Sequence, residues 1–400
     1  MPAFAERLAR AKIAATVAMT TRARELRAQG VDVLQLTIGE PDFATPGHAI
    51  AAAHAAALAG DTKYPPQDGT VRLKDAVRRM FERDHGLSFG RDQVVIGNGG
   101  KQVIFDALLA TVEEGDEVLI PAPYWSAYAL MTQVCGGTPT FVNCPQNNGF
   151  RLRAEDLDAA ITPATRWVFL NSPNNPTGAA LSREDLALIG DVLRRHPHVW
   201  VLADDMYAHL RYDGERPVTL AEVVPGLRDR VLIVSGVSKT YAMTGWRIGF
   251  GAGPADLVRA MANMQGQATA GVSTIGQAAA AAALDGPQDR MRESVASYRA
   301  RRDLVVDALE AIPGIACHRP EGAFYVYPSV AGCLGRTSAG GRLLATDEDF
   351  ALALLDEQHV AVVHGGSFGM SPYLRISYAA DEAVLVRACE RIAQFVAGLR

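Results

Sequence analysis

The sequence predicts an α/β protein of two domains, a large one with a mostly parallel seven-stranded sheet and a smaller α+β one. Three observations carry this. Four hundred residues exceed what a single hydrophobic core usually serves. Between about residues 45 and 285, short β-rich runs alternate with helical patterns, as in a parallel sheet wrapped by helices. Gly286-Pro287 then breaks the pattern, and a long segment rich in Arg and Glu follows to about Glu310.

In chain order the strands fall at 93–96, 117–120, 138–142, 167–171, 199–203 and 231–235, with 248–251 as the seventh. Each ends in a polar or Gly-rich turn. Ligands of open α/β sheets bind beyond the carboxyl ends of the strands, so chemistry is expected in the turns at 97–101, 121–125, 171–178, 204–207 and 235–239. The C-terminal part reads as mixed α+β, with strands near 323–326, 360–363 and 374–377 and a closing helix from Glu382. The resulting division is 45–285 for the large domain, with 1–44 and 286–400 forming an N-terminal arm plus the small domain. The stretch 332–341 reads as a surface loop, and the six alanines 278–283 as a helix face that packs closely.

Composition sets outer limits. With 48% apolar residues, 21% charged and a net charge of −5, neither nucleic acid nor a membrane is an expected partner, and an anionic ligand needs a local basic pocket. The five scattered cysteines contain no CxxC pair, which favours reduced, buried thiols over a disulfide framework or a zinc site. Residues 1–19 lack the apolar core of a secretory signal, and the longest apolar run, 278–284, is far too short for a bilayer. A cytoplasmic protein is expected.

The unusual segment is Ser235-Gly-Val-Ser-Lys-Thr-Tyr-Ala-Met-Thr-Gly-Trp-Arg247. A lysine directly after a buried strand is poorly explained by solubility. A nucleophilic lysine needs a site where its amine can be neutral, supplied by desolvation or nearby positive charge. Arg247 can supply such charge and also clamp a phosphate. At Gly99-Gly100-Lys101-Gln102 a helix opens after a strand, so its free N–H groups and dipole suit a phosphate. Lys101 there faces the positive end of the helix, a small cost that an anion would offset. By the bland reading Asp204 is a helix N-cap, Tyr207 a core tyrosine and Asn175 a turn residue; Asp205 is the neighbouring candidate for the cap.

The lysine segment resembles the signature of the class I aminotransferases of pyridoxal-phosphate (PLP) fold type I. Asn171-Ser-Pro-Asn-Asn-Pro-Thr-Gly178, Asp204-Asp-Met-Tyr207 and Arg375-Ile-Ser-Tyr378 follow in that family's order, beginning at Thr37-Ile-Gly-Glu-Pro-Asp-Phe43. The similarity spans essentially the whole chain and is nearest to bacterial aspartate and prephenate aminotransferases. It implies pyridoxal 5'-phosphate as cofactor, Lys239 as its covalent holder and catalytic base, and ping-pong exchange between an amino acid and a 2-oxo acid. It further implies that Asp204 pairs with the pyridine nitrogen, that Tyr207 and Asn175 donate to the phenolic oxygen, and that Trp125 stacks on the ring. The phosphate falls to Gly100, Lys101, Gln102, Arg247 and either Ser235 or Ser238, with Tyr64 reaching it from the neighbouring subunit of a homodimer.

For the substrate, the resemblance implies Arg375 on the α-carboxylate, helped by Gly39 and Asn175. Thr16 and Lys101 match positions associated with a distal carboxylate, which favours aspartate, with glutamate or prephenate also open. Lys101 serving only the phosphate, a donor with an aromatic or neutral side chain, and a carbon–sulfur lyase on the same fold remain as alternatives. The pair His196-Pro-His198 has no third ligand and reads as a turn, and no metal is expected. His364 is given no role.

Overall fold

The computed structural model describes residues 4–5, 7–10 and 15–400; the side chains of 8, 9 and 15–18 lie outside that description. In chain order the strands are β1 (Leu34–Gln35), β2 (Val94–Gly97), β3 (Glu117–Ala122), β4 (Thr138–Asn143), β5 (Thr165–Asn171), β6 (Trp200–Asp204), β7 (Val231–Gly236), β8 (Gly249–Ala252), β9 (Tyr325–Val326), β10 (Val360–Ala361), β11 (Val363–His364) and β12 (Leu374–Ser377).

Seven of them form one sheet in the order β2-β8-β7-β6-β5-β3-β4. Strands β3 to β7 run parallel, and β8 lies antiparallel to both β2 and β7. The expected seven strands are therefore all present. The near-continuous apolar runs of β2, β6 and β7 reflect burial on both faces, whereas the edge strand β4 is mostly exposed or half-buried. Val201, Ala203, Val231 and Ile233 enter one core cluster, whereas Leu202, Leu232 and Val234 enter another on the opposite face. The alanine run lies in the helix Thr274–Asp285, where Ala279, Ala280, Ala281 and Ala283 are buried in one cluster with Ala49 and Ala53 of the helix Gly47–Leu58. Side chains this small let the two helices approach closely.

The C-terminal part packs the antiparallel sheet β11-β12-β9 with the helices Asp289–Glu310, Asp347–Gln358 and Glu382–Ala397. The N-terminal segment shares that core: β1 pairs in parallel with β10, and Met19, Ala23 and Leu36 are buried beside Leu354 and Ile376. Here the structure departs from expectation in detail. The run 360–363 splits at Val362 because β10 pairs with β1 and β11 with β12. Of 323–326 only Tyr325 and Val326 are extended in a ladder, since Ala323 sits at φ +57°. The loop 332–341 is tied down, with Cys333 and Ser338 buried.

No helix begins at Asp205, so the expected N-cap there is overturned; the residue is buried in the turn after β6, with Oδ2 unpartnered among the described residues. All five cysteines are free, three of them buried and Cys135 and Cys317 half-buried. Among the described residues no helix is long and apolar enough to cross a membrane, and no cluster of His, Cys, Asp and Glu could hold a metal.

Candidate active site

The turns after β2, β5, β6 and β7 converge, with β9, β12 and the segment 37–40, on a cavity of about 540 Å³. It lies at the carboxyl edge of the parallel strands, where such sheets bind ligands.

Asp204 ends β6. Its Oδ2 accepts from Tyr128 Oη at 2.5 Å and its Oδ1 from Met206 N at 3.2 Å. Burial raises the carboxyl to about 6, against the pull of the Tyr128 and Met206 hydrogen bonds and of Lys239. Tyr128 is fixed edge-on to Trp125, ring centroids 5.3 Å apart. Three residues on from Asp204, Tyr207 shares a 2.9 Å hydrogen bond with Tyr325 Oη, and burial keeps both phenols neutral.

Lys239 follows β7 by three residues. Its Nζ donates to Gly39 O at 2.5 Å and lies 5.9 Å from the Phe324 ring centroid. Burial lowers the amine to about 8; Arg375 and Arg247 push the same way, while Glu40 and Asp204 oppose them. A neutral fraction near physiological pH follows.

Arg375 on β12 is buried. Its Nη1 donates to Asn175 Oδ1 at 3.1 Å and its Nη2 to Thr37 O at 2.6 Å. The guanidinium lies 4.7 Å from the Tyr325 ring centroid and 4.9 Å from that of Phe368, with no carboxylate at hand. Its Nε has no partner among the described residues. A buried guanidinium held this way is a ready receptor for an anion. Asn175 is placed by the turn after β5, where Asn171 Oδ1 accepts from its backbone N at 2.8 Å.

At the other end, Gly99 precedes the helix Gly100–Thr111 at φ +83°, a conformation that favours glycine. A Cβ there would lie 2.3 Å from Arg247 Nη2, and one on Gly249 only 2.2 Å from Gly100 N. The loop thus exposes bare N–H groups beside Arg247, whose Nη2 donates to Asn98 O at 3.0 Å. Lys101 Nζ sits 5.1 Å from the Trp125 ring centroid, and burial with Arg247 nearby lowers its amine.

The cavity brings together Gly39, Gly100, Lys101, Trp125, Asn175, Asp204, Tyr207, Ser238, Lys239, Arg247 and Arg375. It does not take in Ser235, whose hydroxyl donates to Asp205 O at 3.4 Å. Gln102 also stands outside the lining, bracing the loop by accepting from Asn98 N and donating to Thr269. Tyr64 is 93% exposed and does not line its own chain's cavity. The side chain of Thr16 lies outside the described residues, although Thr20, Thr21 and Arg24 of the same helix line the cavity. Sequence reasoning missed Tyr128, Tyr325, Thr37 and Glu40. Tyr128 and Tyr325 read as ordinary apolar positions of a helix and a strand, and their hydroxyl partners lie 76 and 118 residues away.

Comparison with known proteins agrees with this geometry. Residues 31–392 match the family model for aminotransferase class I and II. The chain is 52% identical over 399 residues to the aspartate/prephenate aminotransferase of Cereibacter sphaeroides, covering 100% of both. It is 50% identical over 389 residues to the aspartate aminotransferase of Rhizobium meliloti, covering 97% of this chain and 95% of that one. Among solved structures, the Rhizobium meliloti aspartate aminotransferase superimposes with a TM-score of 0.98 at 49% identity, covering 100% of both chains. The Thermus thermophilus aspartate aminotransferase with maleate gives 0.91 at 38%, covering 99% and 100%. The chain belongs to the class I and II aminotransferases.

Proposed function

We propose that this aminotransferase takes L-aspartate as its donor and 2-oxoglutarate as acceptor, with Lys239 as the covalent holder of its pyridoxal phosphate. The observation that carries the reading is one cavity that gathers Lys239, hydrogen-bonded to Gly39 O, with the buried carboxylate of Asp204 and the buried guanidinium of Arg375.

The residues fit the cofactor. Asp204 is a buried carboxylate with no cation in hydrogen-bond contact among the described residues, the partner that a protonated ring nitrogen needs. The Gly99–Lys101 loop, Arg247 and Ser238 offer a phosphate cradle that a Cβ at Gly99 or Gly249 would fill. Trp125 offers a ring face. Gln102 and Ser235 act one step back, holding the loop and the turn after β6.

When bound, the cofactor supplies an electron-accepting ring that stabilises the negative charge left at the substrate Cα. Asp204 keeps the ring nitrogen protonated. Tyr207 donates to the phenolic oxygen. Asn175 does so through Nδ2, since its Oδ1 is taken by Arg375. Arg375, with Gly39 N and Asn175, holds the α-carboxylate and so orients the Cα–H bond. The Lys239 amine, once free, would take the proton from Cα and deliver it to the cofactor's own carbon, as its lowered basicity allows.

Lys101 is assigned to a distal carboxylate, with Thr16 on the helix Ala15–Ala28 as its companion and Arg24 as the other cation of the cavity without a role. The Thermus relative was solved with maleate, a dicarboxylate, and the Cereibacter relative is named for prephenate as well as aspartate. Tyr64, projecting into solvent, is assigned to the phosphate of a second subunit, which makes the working enzyme a homodimer. The pairing of β1 with β10 supports grouping 1–44 with 286–400 as the unit beside a large domain at 45–285. The free thiols support a cytoplasmic location.

Purified protein incubated with L-aspartate and 2-oxoglutarate should yield oxaloacetate and glutamate, and borohydride should fix a pyridoxyl group at Lys239. A cofactor-supplemented sample that stays colourless and carries no such group ends this reading.

A further inference from the structure

Among the described residues two acids face the cavity, Asp204 and Glu40, against Arg24, Lys101, Lys239, Arg247 and Arg375. Asp204 is engaged by Tyr128 and Met206. Glu40 is harder to explain. A carboxylate beside a pocket for anionic substrates repels them, and its exposure shows that packing does not require it.

Its surroundings suggest a reason. Glu40 Oε1 accepts a hydrogen bond from Thr244 Oγ1, while the preceding residue, Gly39, accepts from Lys239 Nζ through its carbonyl. Thr45 Oγ1 donates to Ala242 O at 3.1 Å and accepts from Trp246 Nε1 at 3.0 Å. The segment 37–45 is thereby clamped to 239–246, and Glu40 and Lys239 line the same cavity. The charged groups around that amine are Glu40 from this segment, Asp204 from β6, Arg375 from β12 and Arg247 from the lysine's own loop. Tyr207 beside them stays neutral.

We infer that Glu40, held by Thr244, is the positioning residue that supplies the counter-charge for the Lys239 ammonium formed when the free amine takes the Cα proton. Glu40 touches neither substrate nor cofactor in this role. It offsets the two arginines, which would otherwise disfavour a positive charge on the proton carrier. Glu40 and Asp204 both raise the basicity of this amine.

The inference rests on the assignment of Lys239 above, and its test separates the two. Holoenzyme is converted to the form with an aminated cofactor, which leaves Lys239 free, and the pH dependence of its acylation is followed by peptide mapping. A Glu40→Gln variant keeps an acceptor for Thr244 and loses only the charge. Its midpoint should fall by roughly half a pH unit or more, Glu40→Asp should stay near wild type, and kcat for Glu40→Gln should fall while KM does not rise. A coloured Glu40→Gln enzyme with an unmoved midpoint overturns the role, as do equal shifts in Gln and Asp variants. A wild-type protein that takes up no cofactor fails the earlier assignment instead.

Discussion

Arg375 Nη1 donates to Asn175 Oδ1 at 3.1 Å, joining residues 200 positions apart in the chain. This bond aims the guanidinium into the cavity and, by occupying the amide oxygen, leaves the amide nitrogen of Asn175 as a donor. A lysine at 375 could make neither the paired contact to a carboxylate nor the bonds to Thr37 and Asn175 together. Arg375→Lys should lower kcat/KM by about 100- to 1000-fold, roughly 3–4 kcal/mol. Steady-state kinetics checks this, and the cofactor's visible absorbance should be retained.

Lys239→Ala should abolish turnover. A less obvious consequence concerns stability. In the cofactor-free protein the amine is lowered to about 8 from an unfolded value of 10.5, so between these values the unfolded chain binds more protons. Stability therefore rises as pH climbs from about 8 towards 10.5, and below about 8 the buried ammonium is a full destabilising cost. Lys239→Met, isosteric and uncharged, should raise the Tm of cofactor-free protein at pH 7 by several degrees and flatten its pH dependence above 8. Calorimetry of the two proteins decides it.

The large sheet was readable because its central strands are apolar on both faces and end in turns rich in Gly, Pro and Asp; even β8, with glycines at 249 and 251, showed through. The residues gathered around the cavity were readable only jointly, since Asp204, Tyr207 and Asn175 taken singly resemble a cap, a core residue and a turn. What stayed hidden depends on long-range approach. Tyr128 is indistinguishable from a packing aromatic until the fold sets its hydroxyl against Asp204. Likewise the split of 360–363 into β10 and β11 depends on which partner each half meets, which no local pattern records.

Gly249 offers a test of the phosphate loop from outside it. A Cβ at 249 would meet Gly100 N at 2.2 Å and Gly99 C at 2.4 Å, backbone atoms that cannot swing aside as a side chain tip would. Gly249→Ala should push the helix Gly100–Thr111 outwards and weaken cofactor binding by about tenfold or more, around 1.4 kcal/mol. Fluorescence titration with pyridoxal phosphate measures the change, and far-UV circular dichroism should stay near wild type.

Asp106 carries a cost that catalysis does not explain. Its residue is 2% exposed, Oδ2 has no partner among the described residues, and burial raises the carboxyl to about 7. With the folded value raised above 3.8, the contribution is favourable at low pH and is lost as pH rises towards and through 7. Asp106→Asn should raise Tm by a few degrees at pH 8 and by clearly less at pH 5, where only part of the cost has developed. An equal shift at both values would show that charge is not the cause.

Lys101 decides how the substrate is read. It stands in the first turn of the helix Gly100–Thr111, where the dipole already disfavours a cation, and burial and Arg247 lower its basicity further. A cation kept against these terms calls for an anion, and two are available, the cofactor phosphate and a distal substrate carboxylate. On the reading proposed above Arg247 and the bare N–H groups at 99–101 serve the first, and Lys101 Nζ lies 5.1 Å from the Trp125 ring centroid. The second assignment then predicts a selective loss. Lys101→Ala should lower kcat/KM for aspartate by roughly 100-fold, about 2–3 kcal/mol for a charge-assisted contact, while phenylalanine loses less than about threefold. Equal losses on both donors, with weaker pyridoxal-phosphate binding, would return Lys101 to the phosphate and leave the distal carboxylate to the helix Ala15–Ala28, which presents Thr20, Thr21 and Arg24 to the same cavity.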